Sequence, residues 1–230
     1  EEMANYLRVV TPGQIDGDAF LDIAHNPHRN DLGNFPFLSS LPDGATLEGY
    51  LFPGAYTIEP ATDSAALVRM MLERFDRQVT PAMRQAYGAQ GLSLREALIL
   101  ASIIEKEAML AEEKPIMAAV FLNRLRSGMP LQADPTVQYA LGYHAETDTW
   151  WKSPLDAADL DIASPYNTYQ INGLPPGPIS NPGLSSLEAI AAPADADFLF
   201  FVLDCAAATT GRHIFSATYE EHLANVERCR

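Results

Sequence analysis

The 230-residue sequence contains only two cysteines, Cys205 and Cys229, and neither lies at a metal-ligand spacing. Two cysteines are too few for a disulfide scaffold, and their number alone favours unpaired, buried thiols. The sequence also lacks any run of about 20 apolar residues, the length that a membrane-spanning helix needs. Its first residues lack the basic and then apolar order of a signal peptide. The sequence therefore predicts a soluble chain, and any targeting or anchoring segment would precede it.

Positive charge is scarce, because the sequence has 15 Lys and Arg residues but 30 Asp and Glu residues. Its formal net charge is -15. Without a basic stripe to neutralise phosphates, nucleic acid is excluded as a partner. The sequence has no glycine-rich phosphate loop, no His-x-x-x-His pair and no nucleophile-elbow serine. Its five histidines are scattered, so we expect neither a metal nor a cofactor. The hydrophobic content of 47% is enough for a substantial core.

The first part of the chain predicts a small subdomain followed by helices. Residues 1–45 mix short apolar runs with turn formers and predict a loop-rich lead-in, which leaves residues 46–230 as the main domain. Between Asp63 and Tyr87 apolar residues recur at helical spacing. Thr80 and Pro81 suit the cap and first turn of a second helix within that stretch.

A nearly all-apolar helix is predicted over residues 94–110, where Ser93 and Glu96 form a capping-box pattern. Such a helix belongs in the centre of a core. Glu105 and Glu107 lie about 200° apart around its axis, so they point to opposite sides and cannot form a paired dyad. Both carboxyls could be solvated charges at a helix end. The preceding Ile103 and Ile104 favour at least one carboxyl in an apolar pocket, where burial raises its pKa towards that of a general acid.

The rest of the chain predicts an α+β fold: a helical catalytic core with a small β-sheet and a long ordered loop region. The region 130–182 is rich in Pro, Gly, Asn and Tyr, with turns predicted at prolines such as that of Asp134-Pro135, and its aromatic residues argue against disorder. The other predicted elements are helices over residues 115–127, 185–192 and 219–228, a buried strand over residues 198–203 and its hairpin partner over residues 213–216.

Aromatic and amide side chains near a carboxyl group suit a sugar polymer. Pyranose faces stack on rings, and hydroxyl and acetamido groups need directional hydrogen bonds. The run Tyr166-Asn167-Thr168-Tyr169 supplies both kinds of side chain. The same run is also compatible with a loop that is held by its own hydrogen bonds.

Several segments in a fixed order resemble the YceG-like, or MltG-type, family of endolytic murein transglycosylases. The similarity extends from about Leu47 to His222, which is most of the chain. The matching segments are 47–53, 101–107, 120–125, 128–137, 166–169 and 173–179.

The resemblance implies cleavage of the β-1,4 bond between N-acetylmuramic acid and N-acetylglucosamine within a glycan strand, leaving a 1,6-anhydro-muramoyl end. It also implies a membrane anchor and a LysM-like subdomain ahead of this chain. The location would be the periplasmic face of the bacterial inner membrane, with peptidoglycan synthases as possible partners. An oxidising compartment would permit a bridge between Cys205 and Cys229.

The catalytic glutamate of the family lies in the Glu-Lys-Glu segment, and the resemblance favours Glu107, with Glu105 as the alternative. Many relatives have Thr where this sequence has Ala108, which keeps the alternative open. Glu48 is expected to orient the substrate or stabilise charge, with a structural cap as the alternative. The full set of expected substrate-binding residues is Glu48, Asn123, Gln132, Asp134, Tyr139, Tyr166, Asn167, Thr168 and Tyr169. A non-catalytic peptidoglycan-binding module and a muramidase-type hydrolase are the alternative functions.

Overall fold

The computed structural model describes residues 1–229, and the chain divides into two compact units, Glu1–Thr80 and Pro81–Arg230. The predicted boundary between residues 45 and 46 falls inside the first unit and stays a prediction. Within the described residues, no helix has both the length and the apolar character needed to cross a membrane.

The first unit contains three α-helices: α1 (Glu2–Val10), α2 (Gly17–His25) and α3 (Ser64–Gln78). The lead-in therefore contains two α-helices and two short 3-10 helices besides the predicted turns. Asp16 caps α2, because its carboxylate accepts from two backbone N–H groups of the first turn. Phe37, Tyr50 and Phe75 form a buried aromatic cluster with ring centroids 5.0–5.6 Å apart. Such ring pairs add to the stabilisation that burial alone provides.

The second unit combines helices with one β-hairpin, which confirms the predicted α+β class. Strands β1 (Phe200–Leu203) and β2 (His213–Ser216) pair antiparallel, with Phe201 opposite Phe215. Its helices are α4 (Pro81–Ala89), α5 (Leu94–Glu107), α6 (Lys114–Arg126), α7 (Asp134–Leu141), α8 (Ala157–Leu160), α9 (Leu184–Ala191) and α10 (Tyr219–Arg228).

Helix α5 is the centre of this unit, as its all-round apolar sequence predicts. The capping box between Ser93 and Glu96 is present, and every residue from 97 to 104 is buried. Helices α4, α6 and α9 pack against it. The helix ends at Glu107 instead of residue 110, because Ala108 has an extended backbone with ψ of 114°. Glu107 is therefore the last residue of a helix that the core holds in place.

The long region 130–182 is not loop throughout, because it contains α7 and α8. The interpretation of Asp134-Pro135 as a turn was wrong. Proline is tolerated in the first turn of a helix, where its missing N–H has no partner to lose. Pro135 lies in that turn, and Pro135, Thr136 and Val137 are buried.

The hairpin differs from the predicted buried strand. Strand β1 begins at Phe200, and all four of its residues are at least partly exposed. A two-stranded sheet leaves the outer edge of each strand without a neighbouring strand. All four residues of β1 line a groove, which the next section describes.

Candidate active site

Glu107 lies in a groove of the second unit with a volume of about 400 Å³. One side of the groove comes from α6, α7 and the loops around them. The other side comes from the hairpin and α10. The residues that line it are Glu107, Arg124, Gln132, Asp134, Tyr169, Phe200, Phe201, Val202, Leu203, His213, Tyr219 and His222.

The carboxyl group of Glu107 is half-buried, and its surroundings favour the protonated form. Burial raises the pKa of this carboxyl to about 8, and the negative charge of Asp134 adds to the increase. The positive charge of Arg124 and the backbone N–H of Asp134 oppose the shift without cancelling it. At neutral pH the group therefore holds a proton that it can donate, as a general acid must.

Glu105 has the opposite environment, although it is only two residues away on α5. Its Oε2 atom accepts from Lys114 Nζ at 3.0 Å, from the backbone N–H of Gly183 at 3.2 Å and from the hydroxyl of Ser186. Burial alone would raise the pKa of Glu105, but the hydrogen bonds from Ser186 and Lys114 and the Lys114 charge outweigh burial and lower it. Glu105 stays ionised and joins α5 to α6 and α9. The predicted separation of the two carboxyls is confirmed.

Asp134 and Tyr169 form a hydrogen-bonded pair beside Glu107. The Tyr169 hydroxyl donates to Asp134 Oδ1 at 2.5 Å. Burial raises the pKa of Tyr169, and the hydrogen bond to Asp134 raises it further, so the phenol remains a donor. Asp134 is the first residue of α7, where a carboxylate is favoured by the free N–H groups of the helix start.

Gln132 also lines the groove, and its backbone has the left-handed φ of 46°. This conformation costs free energy in any residue other than glycine, and such residues cluster at functional sites. The N–H of Gln132 donates to the Thr168 carbonyl at 3.0 Å. The Thr168 hydroxyl accepts from the N–H of Ala133 at 3.0 Å and pairs with the Thr136 hydroxyl at 2.8 Å. These bonds join the loop that carries Tyr169 to the start of α7.

Arg124 is a groove residue that sequence reasoning missed. Its Nε and Nη1 donate to the carbonyls of Leu199 and Leu131, each at 2.6 Å, and its guanidinium lies 5.4 Å from the Phe200 ring centroid. Arg124 thereby joins the two sides of the groove. The sequence feature that could have identified it is an arginine within the apolar sequence of α6. Arginine is rarely buried unless its donors are paired.

The structure does not bring Asn123, Asn167 and Thr168 into the groove as exposed polar groups. The Asn123 amide donates to the carbonyls of Ala196 and Phe198 at 2.8 and 3.1 Å. Asn167 is fully buried, and its amide donates to two carbonyls of the α8 region at 2.9 Å and accepts the N–H of Tyr169 at 3.0 Å. These side chains hold the loops that shape the groove.

Three other expected site residues, Tyr139, Tyr166 and Glu48, are not among the residues that line the groove. Tyr139 and Tyr166 contact each other with ring centroids 4.8 Å apart. Glu48 lies in the first unit, where its backbone N–H donates to Thr46 Oγ1 at 3.2 Å. The expected substrate contacts of all three residues stay predictions.

Cys205 and Cys229 form a disulfide with their Cα atoms 5.3 Å apart. The interpretation of two unpaired, buried thiols was wrong, since Cys205 is exposed and bonded to its partner, and the bridge that an oxidising compartment would permit is present. The bridge joins the segment after β1 to the end of α10. Strand β1 and helix α10 both line the groove, so the disulfide links two elements on the same side of it.

A half-buried carboxylic acid, a neighbouring carboxylate and aromatic rings along one side of the groove define the class of this site as an acid–base groove. Within residues 1–229, no group of three or more His, Cys, Asp or Glu side chains is arranged to hold a metal ion.

The chain matches the YceG-like family over residues 7–228 and belongs to that family. An endolytic murein transglycosylase of Bacillus subtilis (strain 168) is 39% identical over 218 residues, which are 94% of this chain and 57% of that protein. One of Streptococcus pneumoniae (serotype 2) is 36% identical over 94% of this chain and 41% of that protein. A solved structure of a YceG-like protein from Listeria monocytogenes has a TM-score of 0.66 and 35% identity, covering 97% of this chain and 62% of that one. The chain thus spans about half the length of the curated relatives it matches.

Proposed function

We propose that this chain is the catalytic part of an endolytic lytic transglycosylase that cleaves peptidoglycan strands, with Glu107 as its acid and base. The observation that carries the proposal is the Glu107 carboxyl, which lies in an open groove with its pKa raised to about 8. The names of the relatives support the substrate class, since both curated proteins are endolytic murein transglycosylases.

The proposed reaction needs one carboxyl group and no water. Protonated Glu107 donates its proton to the glycosidic oxygen as the bond to the muramoyl C1 breaks and an oxocarbenium-like centre forms. The C6 hydroxyl of the same sugar then bonds to C1, and the Glu107 carboxylate takes the hydroxyl proton. The products are a released N-acetylglucosamine 4-hydroxyl and a 1,6-anhydro-muramoyl end, and Glu107 is protonated again.

The neighbours of Glu107 have complementary roles in this proposal. The Asp134 carboxylate stabilises the positive charge that develops at C1, and Tyr169 holds that carboxylate in place. Arg124 stabilises the Glu107 carboxylate after the proton leaves, because its positive charge favours the ionised form. Asn123, Asn167 and Thr168 act by positioning the loops, while Gln132 contacts the substrate.

We also propose the setting of the whole protein. The catalytic part acts at the periplasmic face of the inner membrane, held there by an N-terminal anchor, and peptidoglycan synthases are its partners. The Cys205–Cys229 disulfide supports an oxidising compartment, since disulfides persist outside the cytosol. Fractionation of cells that produce the full-length protein tests this location.

Product analysis tests the proposed reaction. Purified peptidoglycan is incubated with the protein, and the products are identified by mass spectrometry. Internal 1,6-anhydro-muramoyl ends are the expected result. Reducing muramoyl ends would instead identify a muramidase-type hydrolase, and binding without new ends would identify a glycan-binding module.

A further inference from the structure

A buried carboxylate–imidazole pair lies at the groove and takes no part in the mechanism above. His213 Nδ1 lies 2.8 Å from Glu113 Oε2, and the backbone N–H of His213 donates to Glu113 Oε1 at 2.9 Å. The His213 side chain is 9% exposed and that of Glu113 4%. His213 lines the same groove as Glu107.

The pair does more than join two elements. The bond from the His213 backbone N–H to Glu113 would join β2 to the start of α6 with any side chain at position 213. The imidazole adds a second bond and is further fixed by Phe201, whose ring lies 5.5 Å away and edge-on. Within residues 1–229, no hydrogen bond is found for the other ring nitrogen, Nε2. Glu113 and Phe201 therefore hold the ring, while the described residues leave Nε2 available to a ligand.

Glu113 also decides which nitrogen carries the proton. An ionised carboxylate can only accept, so Nδ1 must be the donor in this pair. In the neutral imidazole, Nε2 is then an acceptor. The aromatic rings of Phe200, Tyr219 and His222 also line the groove, with centroids 5.3–6.2 Å apart, although the strand register places Phe200 and His213 on opposite faces of the hairpin. A hydrogen-bond acceptor in the same groove as such rings suits a sugar, whose face stacks on aromatic rings and whose rim carries hydroxyl donors.

We propose that His213, oriented by Glu113, is a saccharide-binding residue that accepts a hydrogen bond from a glycan hydroxyl through Nε2. The inference rests on the proposed function for the identity of the glycan and assigns the hairpin side of the groove to substrate binding. Because His213 donates no proton in this role, its loss weakens binding and does not abolish bond cleavage.

Two variants test the proposal from different directions. His213→Phe keeps a ring beside Phe201 and the backbone bond to Glu113 but removes Nε2. Glu113→Gln keeps the pair, because the amide oxygen accepts the backbone N–H and the amide nitrogen donates to Nδ1. That change makes Nε2 the donor and reverses its hydrogen-bonding polarity. His28→Phe, at an exposed position of the first unit, is the control.

The measurements are the dissociation constant for purified, uncross-linked glycan strands and the ¹⁵N spectrum of His213, which reports directly which ring nitrogen carries the proton. We expect both variants to bind about tenfold more weakly, since one hydrogen bond typically contributes about that factor. We also expect the Nε2 resonance of the wild-type protein to shift when strands are added. Thermal unfolding of each variant shows whether it is folded, and the wild-type ¹⁵N result stands even if His213→Phe is not.

Wild-type affinity in both folded variants, or an Nε2 resonance that strands leave unchanged, would overturn the assignment of His213 while leaving strand cleavage by Glu107 intact. If the wild-type protein binds strands but releases no anhydro-muramoyl ends, the proposed reaction fails and the ¹⁵N shift still decides the role of His213. Absence of strand binding by the wild-type protein would overturn both.

Discussion

At the scale of single residues, Glu105 and Glu107 show how neighbours decide the chemistry of a side chain. Both end the same buried helix, yet Glu105 is surrounded by donors and Glu107 by buried groups and a second carboxylate. A carboxyl that accepts several hydrogen bonds favours the ionised form, whereas burial without enough donors favours the protonated form. Only Glu107 is therefore suited to give a proton to a leaving group.

The substitution Glu107→Gln should abolish strand cleavage and keep the fold. Glutamine has nearly the same size but no acidic proton, so the rate of anhydro-muramoyl formation should fall about a hundredfold or more. Glu105→Gln is the matched control, because it makes the same change on the opposite side of α5. It should lower the free energy of unfolding by about 1–3 kcal/mol, through the weakened Lys114 contact, while the folded protein keeps most of its activity. Retained cleavage in the Glu107 variant with loss in the folded Glu105 variant would transfer the catalytic role to Glu105.

The activity and stability of the protein should both depend on the ionisation of Glu107. Its pKa is raised to about 8, so kcat/KM should fall as the pH rises through about 8 and the acid loses its proton. The folded state binds this proton more tightly than the unfolded chain, so its stabilising effect is complete below about pH 4 and is lost as the pH rises to about 8. Denaturant titrations should show Glu107→Gln gaining stability relative to wild type across that range, by on the order of 1–3 kcal/mol. A difference that stays constant from pH 4 to pH 8 would contradict the raised pKa.

At the scale of elements, the groove is formed by loops and a hairpin that are fixed by residues outside the groove. The Tyr169 loop is joined to α7 and α8 through buried side chains, and the hairpin is joined to α10 through a disulfide. Buried hydrogen bonds and covalent links of this kind keep functional side chains in place without contacting the substrate. Substitutions at these supporting residues should therefore lower activity by displacing the side chains that line the groove.

Asn167→Ala should loosen the loop that carries Tyr169. The change leaves the carbonyl of Ile162 without its partner and removes the acceptor for the Tyr169 N–H, so we expect a loss of about 2–4 kcal/mol of stability and lower cleavage activity. Gln170→Ala is the control, since its exposed amide makes a longer bond of 3.3 Å to the Leu160 carbonyl. Chemical denaturation and product yield are measured together. Equal effects of the two substitutions would show that Asn167 has no special part in holding the loop.

Replacement of both Cys205 and Cys229 by Ser should destabilise the hairpin side of the groove. The bridge spans 24 residues, and closing a loop of that length stabilises a protein by about 3 kcal/mol. We expect a lower denaturation midpoint. In the folded double variant, glycan binding should weaken while the helix content stays nearly unchanged. Reductant should have the same effect on the wild-type protein and none on the double variant. Unchanged stability in the double variant would mean that the bridge does not constrain this side of the groove.

At the scale of the whole molecule, much of the fold was predictable from local patterns. The capping box at Ser93, the all-apolar course of α5 and the helix from Tyr219 to Arg228 were predicted and confirmed. The helix that starts at Asp134 was missed, because its proline was taken as a turn signal when it belongs to a helical first turn. The partial exposure of β1 was also missed, because an apolar run alone does not show which elements will cover the two faces of the strand.

The sequence by itself determined that Glu105 and Glu107 point in opposite directions, because helical periodicity depends only on spacing along the chain. Its ordered motifs also determined the family. Only the tertiary structure decided which carboxyl stays protonated, since Gly183 and Ser186 reach Glu105 across 78 and 81 residues of sequence. It also decided that Asn167 is a support and that Arg124 and His213 line the groove. Desolvation and hydrogen bonding act through space, so residues distant in sequence set the acidity on which the proposed chemistry depends.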